Sequence, residues 1–155
     1  MAEGIAQSSS KLSDVDLRAL AVYLKDQPGQ NKETPTAAST GVMKMGVAIY
    51  TDECSACHTP KGTGMPEMFP SLAGTPSVQQ ADPTSILRVI LRGTRSVATD
   101  EAPTGPGMPS FGWLLTDEQV AAVATFIRQS WGNSAPPVSA SDVASARQSL
   151  VKRSD

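Results

Sequence analysis

The sequence predicts an all-α fold. Several segments repeat apolar residues at helical spacing, opened by Ser, Thr or Asp and closed by Gly or Pro. No stretch alternates apolar and polar residues as a half-buried strand does, and there is no internal repeat. Only 39% of the 155 residues are apolar and 5% aromatic, a thin supply for a core built of side chains alone, and a large apolar cofactor would fill the gap.

The first helix is predicted in Lys11 to Asp26, with Ser13 as its cap, Asp14 and Asp16 in the first turn, and Leu17, Leu20, Ala21 and Leu24 on one face. Gln27, Pro28 and Gly29 end it, and the polar run from Gln30 to Thr40 reads as a linker. A second helix spans Gly41 to about Glu53, carrying Met43, Val47, Ile49 and Tyr50. A loop rich in Gly and Pro follows His58 and needs something to pack against. Asp82 and Pro83 open a third helix, which Ile86, Leu87, Val89, Ile90 and Leu91 carry to Gly93. Thr94 to Phe111 is irregular. Thr116 to Gln119 resembles a capping box, and the helix behind it uses Val120, Val123, Ala124, Phe126 and Ile127 before Gly132 and Asn133 stop it. From Ser134 the chain is rich in Ser, Ala and Pro, with a weakly periodic short helix from Ser141 to Lys152. The expected organisation is an N-terminal helix and linker over 1–39, a domain over 40–132 and a tail over 133–155.

Net charge is −2 with a sequence pI near 5.4, and no basic run is interleaved with aromatics, so nucleic acid is not an expected partner. No stretch approaches the ~20 consecutive apolar residues that span a bilayer. Met1 to Ser10 lacks the basic and then apolar regions of a secretory signal, so that export information has been removed or the chain was cut from a longer precursor.

The chemistry concentrates in Cys54-Ser55-Ala56-Cys57-His58, which holds both cysteines and the single histidine. The spacing matches covalent haem attachment: two thiols three positions apart each add to one vinyl group, and the adjacent imidazole then lies on the iron axis. A redox dithiol is the first alternative, but it would follow a strand within a βαβ pattern, and here the pair closes a helix. Structural zinc needs four ligands, and this motif offers three. Iron with one imidazole needs a sixth ligand or an open position. Met108, in Gly107-Met108-Pro109 shortly before the last helix, is the best candidate. Met65 and Met68 compete, but both lie within ten residues of His58, too close to cross to the opposite haem face.

On these residues the stretch from Thr40 to Gly132 resembles a class I cytochrome c. The resemblance implies a cytochrome c-like helical domain wrapped around one covalently bound haem. It also implies a Gly-x-x-x-aromatic pair before the first cysteine, matched by Gly46 and Tyr50, packing on the last helix at Val123, Phe126 and Ile127. A proline carbonyl that accepts the ligating imidazole's other N–H is matched by Pro70 in Phe69-Pro70-Ser71-Leu72. Trp113 is a candidate donor to a haem propionate, and Arg92, with Arg88 and Arg95, a candidate for neutralising propionate charge. The bland alternative is a core aromatic and a solvated helix face.

A narrower resemblance joins Met108 to Trp113, Leu115 to Val120, Ile127-Arg128 and Trp131-Gly132-Asn133 to the last haem domain of the multihaem cytochrome c subunit of bacterial membrane-bound alcohol, aldehyde and gluconate dehydrogenases. The segment Leu12 to Lys25 is similar to the closing helix of the preceding haem domain in such a subunit, the alternative being an ordinary N-terminal helix. This chain has one CxxCH where that subunit has three.

The resemblance implies a His58/Met108-ligated haem c electron carrier in a respiratory chain, not an enzyme in itself. Its expected partners are a dehydrogenase subunit and a downstream quinone, cytochrome or oxidase, with peripheral membrane association through the complex. Haem attachment of this type implies the periplasm. An open-site haem enzyme or gas sensor is the alternative function, although no second histidine is present to act as a distal base. A third reading makes the Ser/Ala/Pro tail a docking segment for a larger complex.

Overall fold

The computed structural model describes residues 2–28 and 35–151, so Gln30 to Thr34 of the expected linker and Lys152 lie outside the described residues. The chain forms two compact units, one from Met1–Glu33 with Arg95–Gly107, the other from Thr34–Thr94 with Met108–Asp155.

In the first unit, helix α1 (Ala2–Gln7) and a 3-10 turn (Ser9–Lys11) lead into α2 (Asp14–Asp26). Ser13 caps α2 as its sequence predicts, its side chain accepting from the Asp16 N–H. No residue of α2 is buried. Lys11 pairs with Asp100 of the 95–107 segment, within which Arg95 Nη1 donates to the Gly105 carbonyl at 3.1 Å.

The second unit begins with residues 35–39, which are tied down by Gln129: its amide accepts from the Ala38 N–H at 2.9 Å and donates to the Thr36 carbonyl at 3.0 Å. Ser39 then caps α3 (Thr40–Ile49). The expected single helix to Glu53 is instead interrupted, since Tyr50–Cys54 is a π-helical turn and α4 (Ser55–His58) follows it. The Ser55 N–H reaches five residues back to the Tyr50 carbonyl. Hydroxyls of Thr51 and Ser55 meanwhile occupy the carbonyls of Val47 and Thr51, the local competition that loosens an α-ladder.

Helix α5 (Thr84–Arg92) starts where Asp82 accepts from the Thr84 N–H at 2.9 Å and ends at Gly93, φ +74°. Helix α6 (Asp117–Gln129) opens with the full Thr116/Gln119 capping box. Helix α7 (Ala140–Val151) packs on α5 and α6. The only strands among the described residues are the two-residue β1 (Thr94–Arg95) and β2 (Gly107–Met108), which pair with each other. The architecture is therefore all-α, as the sequence predicts.

The core centres on α6, whose Val120, Val123, Ala124 and Ile127 are buried with Tyr50, Leu87, Ile90 and Leu91. Val143 of α7 joins it fully buried, and Arg147 fixes the same helix by pairing with Asp117 at 2.6 Å and donating to the Leu115 carbonyl at 2.6 Å. Compactness thus continues through residues 134–150. Arg128 is fully buried, and among the described residues no carboxylate forms an ion pair with it. Its guanidinium donates instead to the carbonyls of Pro136, Val78, Gln80 and Ala81 at 2.8–3.3 Å, and burial lowers its pKa.

Candidate functional site

The site is built at the end of α3. The π-turn ends on Cys54 and α4 follows it directly, so that Cys54, Cys57 and His58 all lie within two turns of one backbone segment. Cys54 is half-buried and Cys57 exposed, and both are free thiols in the polypeptide. Burial pushes the Cys54 thiol up to about 11, with the Glu53 carboxylate and Cys57 adding to it.

His58 is buried, 8% exposed. Its Nδ1 lies 3.0 Å from the carbonyl oxygen of Pro70. A carbonyl only accepts, so Nδ1 must carry the proton, which leaves the Nε2 lone pair free to ligate. Two thiols and one imidazole of fixed tautomer are the donor set that a covalently attached haem requires.

The Pro70 carbonyl reaches His58 because of two glycines that the sequence marks only as loop residues. A Cβ on Gly64, φ +65°, would stand 2.2 Å from the Phe69 oxygen and 2.6 Å from the Pro70 oxygen. The Gly64 N–H in turn donates to the His58 carbonyl at 3.0 Å. A Cβ on Gly62 would stand 2.6 Å from the Trp131 ring, so the loop backbone lies directly on that indole. The pair Gly62-x-Gly64, which begins four residues after His58, was the available signal.

Tyr50 holds the other side. It is 2% exposed, its ring centroid 5.4 Å from that of Phe126 and 5.0 Å from that of Trp131. Phe126 is the partner the sequence predicts, whereas Trp131, at φ +54° after the end of α6, is an addition. Burial, and after it the Cys54 thiolate, pushes the Tyr50 phenol up to about 12. The protonated hydroxyl donates to the Thr59 carbonyl at 2.7 Å.

The remaining expected site residues are placed as follows. Met108, in β2, is half-buried and packs against the core cluster, in the same compact unit as His58. Met65 and Met68 are exposed. Trp113 is 80% exposed, so it is not a core aromatic in this structure. Arg92 is exposed in the last turn of α5, and Arg88 is half-buried on the same helix.

Comparison with known proteins bears on the family. The family model described as cytochrome c matches residues 43–131. The cytochrome c subunit of a quinone alcohol dehydrogenase from Gluconobacter oxydans (strain 621H) is 40% identical over 158 residues, covering 95% of this chain and 33% of that protein. The gluconate 2-dehydrogenase cytochrome c subunit of Pantoea cypripedii is 38% identical, covering 96% of this chain and 36% of that protein. Cytochrome c-552 of Thermus thermophilus is 31% identical over 91 residues, 57% of this chain and 69% of that protein. The chain thus spans about a third of the length of the two dehydrogenase subunits. From the matched domain, the all-α architecture and the Cys54/Cys57/His58 arrangement together, the chain belongs to the cytochrome c family, an electron-transfer protein carrying covalently attached haem c.

Proposed function

We propose that this chain is the electron-relaying part of a cytochrome c subunit of a membrane-bound dehydrogenase, with iron ligated by His58 Nε2 and the Met108 thioether. The observation that carries the reading is the His58 Nδ1 to Pro70 carbonyl bond, which fixes the tautomer a ligating imidazole must have. Haem c, once attached, supplies the one-electron couple of its iron. Cys54 anchors it to the π-turn and Cys57 to α4, His58 presents its lone pair, and the half-buried Met108 offers a soft neutral sulfur that favours the reduced metal. Trp113 and Arg92 are the proposed propionate contacts.

The electron source follows from the relatives, whose names are those of alcohol and gluconate dehydrogenase subunits. Electrons come from a dehydrogenase partner and leave towards quinone, another cytochrome or an oxidase, in the periplasm. No helix among the described residues is long and apolar enough to cross a membrane, and membrane association is proposed to come through the complex.

Residues 1–39 are proposed as the end of a preceding haem domain. Contrary to the expectation of no internal repeat, Leu12 to Lys25 is similar to Leu115 to Arg128 at its cap and apolar positions: Ser13 with Thr116 as caps, then Leu17 with Val120, Leu20 with Val123, Tyr23 with Phe126 and Leu24 with Ile127. In α6 Val120, Val123 and Ile127 are buried in the core and Phe126 meets Gly46 of α3, while in α2 Leu17, Leu20, Tyr23 and Leu24 are all exposed. A helix of the α3 type from a preceding domain fits that face. A haem count on the native gene product decides this point, and one haem per polypeptide rejects it.

The ligand set is tested on the purified holoprotein. A far-red charge-transfer band of the ferric form that disappears in Met108→Ala is expected. Absence of the band, or its persistence in the variant, rejects Met108.

A further inference from the structure

We propose that the Tyr50 hydroxyl is a positioning group for the His58 imidazole, acting through a strained peptide at Thr59. The proposal rests on the reading of His58 as the iron ligand.

Thr59 sits at φ 63°, ψ 157°, a region that glycine occupies and a β-branched residue does not enter without strain. It directly follows His58, so relaxation of Thr59 moves the imidazole. Such a conformation persists only where its surroundings hold it. Here the Thr59 carbonyl accepts from the Tyr50 hydroxyl at 2.7 Å and from the Gly62 N–H at 3.0 Å. The Thr59 hydroxyl is bound as well, to the Thr63 hydroxyl at 2.9 Å and the Thr63 N–H at 3.2 Å.

The same strut reaches the second determinant of the imidazole. The Gly62 carbonyl accepts from Leu72 N–H at 2.7 Å, Ala73 N–H at 2.9 Å and the Ser71 hydroxyl at 3.2 Å. Ser71 directly follows Pro70, whose carbonyl takes the His58 Nδ1 proton. Both the peptide behind His58 and the carbonyl in front of it are therefore referred to Gly62, and Tyr50 ties that assembly to the helix core. The hydroxyl is not needed for packing, because a phenylalanine ring would meet Phe126 and Trp131 equally well. Its specific contribution is the bond to Thr59.

The test uses the full chain matured with haem. In the ferric wild type, the His58 Nδ1–H should give a paramagnetically shifted proton resonance that exchanges slowly with solvent. Tyr50→Phe should retain a low-spin spectrum while that proton exchanges at least tenfold faster. The reduction equilibrium against a fixed mediator should move at least threefold towards the reduced form, because a weaker Nδ1–H bond makes the imidazole a poorer donor to ferric iron. In a Thr59→Gly background, where φ 63° carries no strain, the same substitution should change the exchange rate less than threefold.

Unchanged exchange and equilibrium in Tyr50→Phe, or an equally large effect in the glycine background, overturns the proposal. Should Tyr50→Phe alone fail to mature, Tyr50→Phe/Thr59→Gly is expected to mature, and failure of both overturns the proposal, because release of the Thr59 strain would then not replace the hydroxyl. A wild-type Nδ1–H with no paramagnetic shift overturns the ligand assignment itself, before any variant is made.

Discussion

A Cβ on Gly46 would stand 2.6 Å from the Cβ of Phe126 and 2.4 Å from the Ala122 carbonyl oxygen, so α3 and α6 meet backbone to backbone. Glycine in a helix interior costs ~1 kcal/mol relative to alanine, and here the close crossing offsets that cost. Gly46→Ala should destabilise the holoprotein by roughly 1–3 kcal/mol, because one of the two elements must shift. Urea unfolding followed by helical circular dichroism checks this. A stabilised variant would mean that the crossing relaxes freely.

Removal of the buried guanidinium should be costly for a different reason. Arg128→Leu leaves the carbonyls of Val78, Gln80, Ala81 and Pro136 without their donor, at ~1–3 kcal/mol for each group that water cannot reach. A total loss of about 3 kcal/mol or more is expected in denaturant titration. Arg128→Lys should recover little, since an ammonium cannot span the carbonyls that the planar fork reaches.

Gly64 and Gly74 provide a matched pair, both with positive φ, at +65° and +71°. A Cβ on Gly74 meets nothing within 4 Å, whereas on Gly64 it collides with the Phe69 and Pro70 oxygens. Gly74→Ala should cost only the left-handed strain, roughly 1–2 kcal/mol. Gly64→Ala should also displace the Pro70 carbonyl from His58, lowering the holoprotein yield and moving the iron's reduction equilibrium. An equal effect of the two substitutions on that equilibrium would remove Gly64 from the positioning of His58.

The Tyr50 phenol gives the fold an alkaline limit. Burial raises it from 10.0 to about 12, so between those values the unfolded chain has released a proton that the folded chain retains. This contribution is fully present below pH 10, declines as pH rises towards 12 and is lost above it. Stability measured by urea titration from pH 9 to 12 should therefore fall in the wild type, and that part of the slope should vanish in Tyr50→Phe.

The sequence by itself determined the chemistry and the helices. The attachment motif, the Gly46/Tyr50 pair, the Ser13 and Thr116 caps and the Asp82 start are all local patterns, in which a few neighbouring residues satisfy backbone donors or set a helical face. What only the tertiary structure decided depends on atoms far apart in the chain. The Tyr50 hydroxyl on Thr59, Trp131 on Gly62 and Arg128 on the carbonyls of 78–81 leave no periodic trace, because each residue type is compatible with solvent exposure as well. The π-turn that ends on Cys54 was illegible for the same reason: one shifted hydrogen bond leaves the pattern of side chains almost unchanged, but redirects the residues that follow it.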